Sequence, residues 1–206
     1  MVRYLQKLFT TQVMGEGSSY EKKKNTHIDN CSSSYWSVLY CRTAKSKYLT
    51  FKEAYAIASR EAKSWNTNAL LLYSTSVDKL NETDELLNGK RKNWNFEFAI
   101  PESKNHCVVE IEAGNITFQQ QLSGQVLKKV DLIVDSDILH DSTYFLICAQ
   151  DNYNLLPGKS WANGYHFVVF KIDNKTTMTV YGTNDRGEIK KITFDMQTCE
   201  VIRQGE

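Results

Sequence analysis

The sequence predicts an α+β chain of two helix-plus-antiparallel-sheet modules in tandem, preceded by a weakly structured N-terminal segment. Three features predict this. A capped helix opens at Thr50, short runs alternate apolar with polar residues, and the second half of the chain returns to the plan of the first.

Composition frames the reading. With 206 residues the chain can bury a core as one large domain or two small ones. Apolar residues at 41% and charged residues at 24% match ordinary globular proteins. No apolar run approaches the roughly 18 to 20 residues of a membrane span, so none is expected. The net charge of +1 is uneven: residues 1–50 carry eight Lys/Arg against three Asp/Glu, and the remainder sums to −4. The Lys22–Lys24 run is short, and the body lacks a basic stripe interleaved with aromatics. A solvated leader is therefore expected, and no nucleic-acid partner. Gln6, Lys7 and Thr10 interrupt any apolar stretch at the N-terminus, so the expected location is cytoplasmic, with cell-envelope association through a removed leader as the alternative. Five cysteines (31, 41, 107, 148 and 199) form no CxxC pair and no metal spacing.

Residues 1–48 suggest a short helix, a Ser- and Lys-rich stretch, and an apolar strand at Tyr35–Tyr40. The first module, 49–125, starts with Thr50-Phe-Lys-Glu53, a capping box in which hydroxyl and carboxylate satisfy each other's exposed amides. Phe51, Ala54, Tyr55, Ala58, Ala62 and Trp65 follow at helical spacing, giving one apolar face. Ala69–Val77 is expected as a strand. After a polar excursion from Asp78 to Asn93, Trp94–Ile100, Cys107–Ile111 and Ile116–Phe118 form an antiparallel meander.

The second module, 126–206, is expected to begin with caps at Asp135, Ser136 and Asp137 and a helix from Ile138 to about Tyr153, with Tyr144, Ile147 and Cys148 inward. Strands are expected at Tyr165–Ile172, Thr177–Tyr181 and Glu188–Phe194, with a short edge at Val201–Arg203. Matching Trp94 to Tyr165 and Gly114 to Gly187 gives offsets of 71 and 73 residues, which points to duplication.

The segment Tyr181-Gly-Thr-Asn-Asp-Arg-Gly187, followed by Ile192-Thr-Phe-Asp195 and Thr198-Cys-Glu200-Val201, resembles the closing strands of a PepSY-type module. The alternating Tyr165–Ile172 strand and the capped helix at Thr50 fit the same pattern. Cys199 stands where such modules carry a turn glycine, and the Asp195 turn has no counterpart after Phe118. The resemblance implies a binding or inhibitory module without chemistry of its own, associated with restraint of peptidases and with cell-envelope proteins.

No catalytic residue, metal site or cofactor emerges from the residues themselves. Val130–Asp137 ends in D-x-D, which in a phosphohydrolase would hold Mg²⁺, with Asp135 as nucleophile. That chemistry needs a downstream Lys and further acids on a parallel sheet, whereas the remaining residues read as a meander, so helix capping is the expected role of Asp135 and Asp137. Trp94, Trp161, Tyr165 and His166 cluster at strand starts and are the candidate binding residues for a protein or peptide partner, with core packing as their competing role.

Overall fold

The computed structural model describes residues 47–77, 88–158 and 164–205, so the helix and strand expected before residue 47 lie outside the described residues. Helix α1 spans Phe51–Trp65 and begins as the capping box requires. The Glu53 amide donates to the Thr50 hydroxyl at 3.2 Å and the Thr50 amide donates to the Glu53 carboxylate at 2.9 Å. Its buried face is Phe51, Ala54, Ala58, Ser59 and Ala62. Four strands follow: β1 (Leu70–Val77), β2 (Asn93–Ala99), β3 (Asn105–Glu112) and β4 (Asn115–Ser123). After a long connector come α2 (Ser142–Tyr153) and strands β5 (His166–Ile172), β6 (Lys175–Thr183), β7 (Ile189–Asp195) and β8 (Val201–Gly205).

The eight strands form one antiparallel sheet in the order β4-β3-β2-β1-β5-β6-β7-β8. Each half reads helix, then four strands, and the halves join side by side where β1 pairs with β5. Two expected sheets are thus a single continuous one. The repetition of elements is visible, but its alignment differs from the sequence reading by one strand. β1 answers β5, so the strand containing Trp94 answers β6 and not the strand that follows Tyr165. The tight Asp173-Asn174 turn, with φ of +48° and +64°, joins β5 to β6, whereas a long polar excursion separates β1 from β2 and displaces the spacing. In the corrected alignment the Ala113-Gly114 turn answers the β7–β8 turn, where Cys199 takes the left-handed conformation at φ +62°.

Both helices pack on the same face. Across the sheet, Phe96, Ser74, Val169, Met178 and Phe194 are paired neighbours and therefore point the same way. Phe51 of α1 meets Phe96 at 6.1 Å between ring centroids, and Phe145 of α2 meets Phe194 at 5.4 Å. One apolar cluster runs from Leu49 to Met196 through both halves. Each fully buried Phe or Leu in it contributes on the order of 1.5–3 kcal/mol.

The second helix corrects the sequence reading. Asp135–Asp137 forms a single 3₁₀ turn within the connector, and α2 begins five residues after it at Ser142, capped by Asp141. Its inward residues are Ser142, Phe145, Leu146 and Ala149. Tyr144 and Ile147, expected inward, are 41% and 56% exposed. The reason lies upstream: Leu132 and Ile133 are fully buried, so the chain must cross the end of β1 before a helix can start. The Ile133 amide donates to the Leu71 carbonyl at 2.7 Å. On the opposite sheet face, Leu127 and Leu132 pack over Ala99, and the connector also covers His106.

Candidate functional site

A groove of about 570 Å³ runs along the outer side of α1. Lys52, Tyr55, Ala56, Ser59, Arg60 and Lys63 line one wall, and Asp135 and Ile138 of the connector line the other. Their spacing of three and four residues places them on one helical stripe that borders the alanine ridge facing the sheet. The Tyr55 hydroxyl donates to Asp135 Oδ1 at 2.5 Å and the Lys63 ammonium to Oδ2 at 3.0 Å. Burial and the neighbouring carboxylate push the Tyr55 phenol well above its ordinary range. The same hydrogen bond, with that of Lys63, holds Asp135 below the usual carboxylate range. The Lys52 ammonium donates to the Leu139 carbonyl at 3.3 Å, closing one end. Three of the lining side chains are cationic and one is a carboxylate; Lys63 pairs with that carboxylate, and the charge of Asp137 also reaches Tyr55.

Next to the groove the two helices meet at their N-termini. Asp141 Oδ1 accepts from its own helix through the Ser142 amide at 2.7 Å and from α1 through the Lys52 amide at 3.0 Å. The buried Ser142 hydroxyl accepts from the Phe51 amide at 3.0 Å and donates to the Gly89 carbonyl at 2.7 Å. One carboxylate and one hydroxyl therefore satisfy first-turn amides of both helices, and Asp141 stands where both positive helix ends converge. Leu139 and Ile147 are each 56% exposed, and His140 stacks on the exposed Tyr144 ring at 4.5 Å.

The residues singled out from the sequence fall elsewhere. Trp94 is fully buried, its indole N–H donating to the Leu49 carbonyl at 3.1 Å. Tyr165 is buried too, with its hydroxyl donating to the Leu155 carbonyl at 3.2 Å and accepting from Gln150 at 3.0 Å. Both are core residues, because each sits where the apolar layer between sheet and helices needs a large ring. Trp161 lies outside the described residues. His166 stands at the seam between halves: Nε2 meets the Thr75 hydroxyl at 3.1 Å and Nδ1 the Ser76 hydroxyl at 3.0 Å. Burial and the charge of Arg91 push its pKa down to about 3, which keeps the ring neutral.

Asp135 and Asp137 do not converge. Asp135 turns to α1, while Asp137 accepts from the Thr176 hydroxyl at 3.1 Å and pairs with Lys171 at 3.3 Å. Among the described residues no group of three His, Cys, Asp or Glu side chains gathers around a common point. Lys52, Arg60 and Lys63 were not singled out from the sequence. Their signal, a cationic stripe on the polar side of the Thr50 helix, looks the same as any solvated helix face until the connector supplies a second wall.

No family model matches the chain, and no curated protein does. Among solved structures the fold is similar to that of a "putative lipoprotein" from Clostridium difficile 630, at 14% identity and a TM-score of 0.53, covering 73% of this chain and 91% of that one. At that identity what the two share is the fold.

Proposed function

We propose that this chain is a non-catalytic binding protein whose α1 groove holds an acidic segment of another protein or a peptide. The observation that carries the reading is the groove itself: Lys52, Arg60 and Lys63 line it with Asp135 as the one lining carboxylate, and Leu139, whose carbonyl accepts from Lys52, is 56% exposed beside it. A segment bearing carboxylates and flanking apolar side chains complements both surfaces. An inhibitory role for such binding, and the assignment of the halves as divergent PepSY-like modules, draw support from the resemblance of the closing strands and from the repeated helix-then-four-strands order. A cell-envelope setting draws its support from the description of the structural neighbour.

The phosphohydrolase reading is weaker because Asp135 and Asp137 serve opposite sides of the connector. Fluorescence anisotropy with a labelled Glu/Leu peptide and a matched Lys/Leu peptide tests the proposal. The acidic peptide is expected to bind, the basic one not, and the Lys52→Glu/Arg60→Glu variant to lose binding with its fold intact. Equal binding by that variant would remove the groove from the account. Hydrolysis of p-nitrophenyl phosphate that disappears in Asp135→Asn would replace the proposal with the enzyme.

A further inference from the structure

Strand β4 closes one end of the sheet, and all nine of its residues are exposed. Its sequence, Asn-Ile-Thr-Phe-Gln-Gln-Gln-Leu-Ser, holds no charge and no proline. Exposed sheet edges normally carry a lysine, a proline, a disrupting bulge or very few residues, since an unpaired row of amides and carbonyls is a template for another strand. The other edge follows that rule: β8 has five residues, carries Arg203, and pairs with β7 through a register shift. In β4 the only irregularity lies at its start, between Glu110 and Ile111 of its neighbour. From Phe118 to Ser123 the ladder to β3 is regular.

We infer that two copies of this chain pair antiparallel through β4, joining their sheets into one. A two-fold axis perpendicular to the sheet preserves its faces, so residues opposite each other must come from the same face of β4. Phe118, Gln120 and Leu122 pair with Glu110, Val108 and His106 and share the face away from the helices. An axis through Gln120 sets Phe118 against Leu122 of the second copy, twice, with Gln120 against itself between them. On the helix face Gln119 meets Gln121. Phe118 and Leu122 are 40% and 37% exposed in the single chain, and this register covers both. It also brings no like charges together, because β4 has none and the two Glu110 side chains fall in different cross-strand rows. The occupant best complementary to β4 is therefore β4 itself.

Sedimentation velocity of the full chain from low to high micromolar concentration tests this. The expected result is a reversible species of twice the protomer mass. Gln120→Lys, which sets like charges face to face on the axis, is expected to raise the dimer dissociation constant by about tenfold or more while leaving circular dichroism and melting unchanged. Gln120→Glu is expected to do the same, and an equimolar mixture of the two variants to restore the dimer. A wild-type chain that stays monomeric at every concentration, a dimer indifferent to Gln120→Lys, or a mixture that fails to reassociate would each overturn the inference.

Discussion

Replacing Ser142 by alanine is expected to destabilise both halves of the molecule at once. The hydroxyl is fully buried and connects three elements: it accepts from Phe51 at the start of α1, donates to Gly89 ahead of β2, and belongs to the first turn of α2. Its removal leaves the Phe51 amide and the Gly89 carbonyl without that partner in a dry site. Each such group costs about 1–3 kcal/mol, so the sum is about 2–4 kcal/mol once partial relaxation is allowed. Relaxation is restricted, since a side-chain carbon at Gly89 would lie 2.6 Å from the Thr143 backbone, which shows how tightly loop and helix already meet. At roughly 2–4 °C per kcal/mol for a domain of this size, melting should fall by roughly 5–15 °C. Urea titration followed by tryptophan fluorescence and by far-UV dichroism is the assay. Coincident curves, shifted together, are expected because the hydroxyl ties the two halves into one cooperative unit. A loss below about 0.5 kcal/mol, or two separated transitions of which one alone moves, would refute the reasoning.

Gly182→Ala is expected to cost about 1–3 kcal/mol in the same assay, since the new carbon would strike the Leu156 carbonyl, and paired hydrogen bonds of 2.7 and 2.8 Å between Leu156 and Thr183 prevent that backbone from yielding. Asp135→Asn should cost less than about 1 kcal/mol, because the carboxylate is 64% exposed and its partner Lys63 is also solvated. A larger loss in the melting curve would mean that the groove wall is structural.

Much of this fold was legible because local chemistry and tertiary role agree. The Thr50 capping box needs no tertiary partner to form, and Trp94, Phe96 and Phe98 alternate because one face of their strand meets the core. The start of α2 was not legible for a definite reason. Asp135, Ser136, Asp137 and Asp141 are all competent caps, and only the burial of Leu132 and Ile133 decides which one is used. β4 was underestimated because Gln119-Gln-Gln121 lacks alternation, which an edge strand exposed along its whole length does not require. Arg91 is fully buried, with its guanidinium 5.8 Å from the Phe167 ring centre, and no spacing in the sequence announces a buried arginine. The groove was hidden for a related reason: six of its lining residues belong to α1, but the two that close it, Asp135 and Ile138, come from a connector about 70 residues later.

Two histidines give the fold opposite responses to pH, and the contrast can be tested. The pKa of His166 is about 3 in the folded chain and near 6.5 when unfolded. Between those values the unfolded chain binds the proton and the folded chain does not, so acidification favours unfolding, by up to about 1.4 kcal/mol per pH unit. His106 behaves the other way. Its Nδ1 lies 2.8 Å from Glu97 and its Nε2 lies 2.9 Å from the Gln125 carbonyl, and the Glu97 hydrogen bond raises its pKa above the ordinary value despite burial. That contribution is complete below about pH 6.5 and is lost as pH rises through the folded pKa. Below about pH 4 a third group joins: burial opposes the charge of Asp195, but the Gln197 and Thr198 amides and Lys175 outweigh it, so its stabilisation disappears as the carboxylate is protonated. Stability from urea titrations should therefore peak near pH 6.5. His166→Gln should flatten the profile from pH 4.5 to 6.5, and His106→Gln should flatten it above. The slope decides the matter and the absolute stability does not, because either variant also loses hydrogen bonds. An acid limb of full steepness in His166→Gln would show that the seam between β1 and β5 does not exclude the proton.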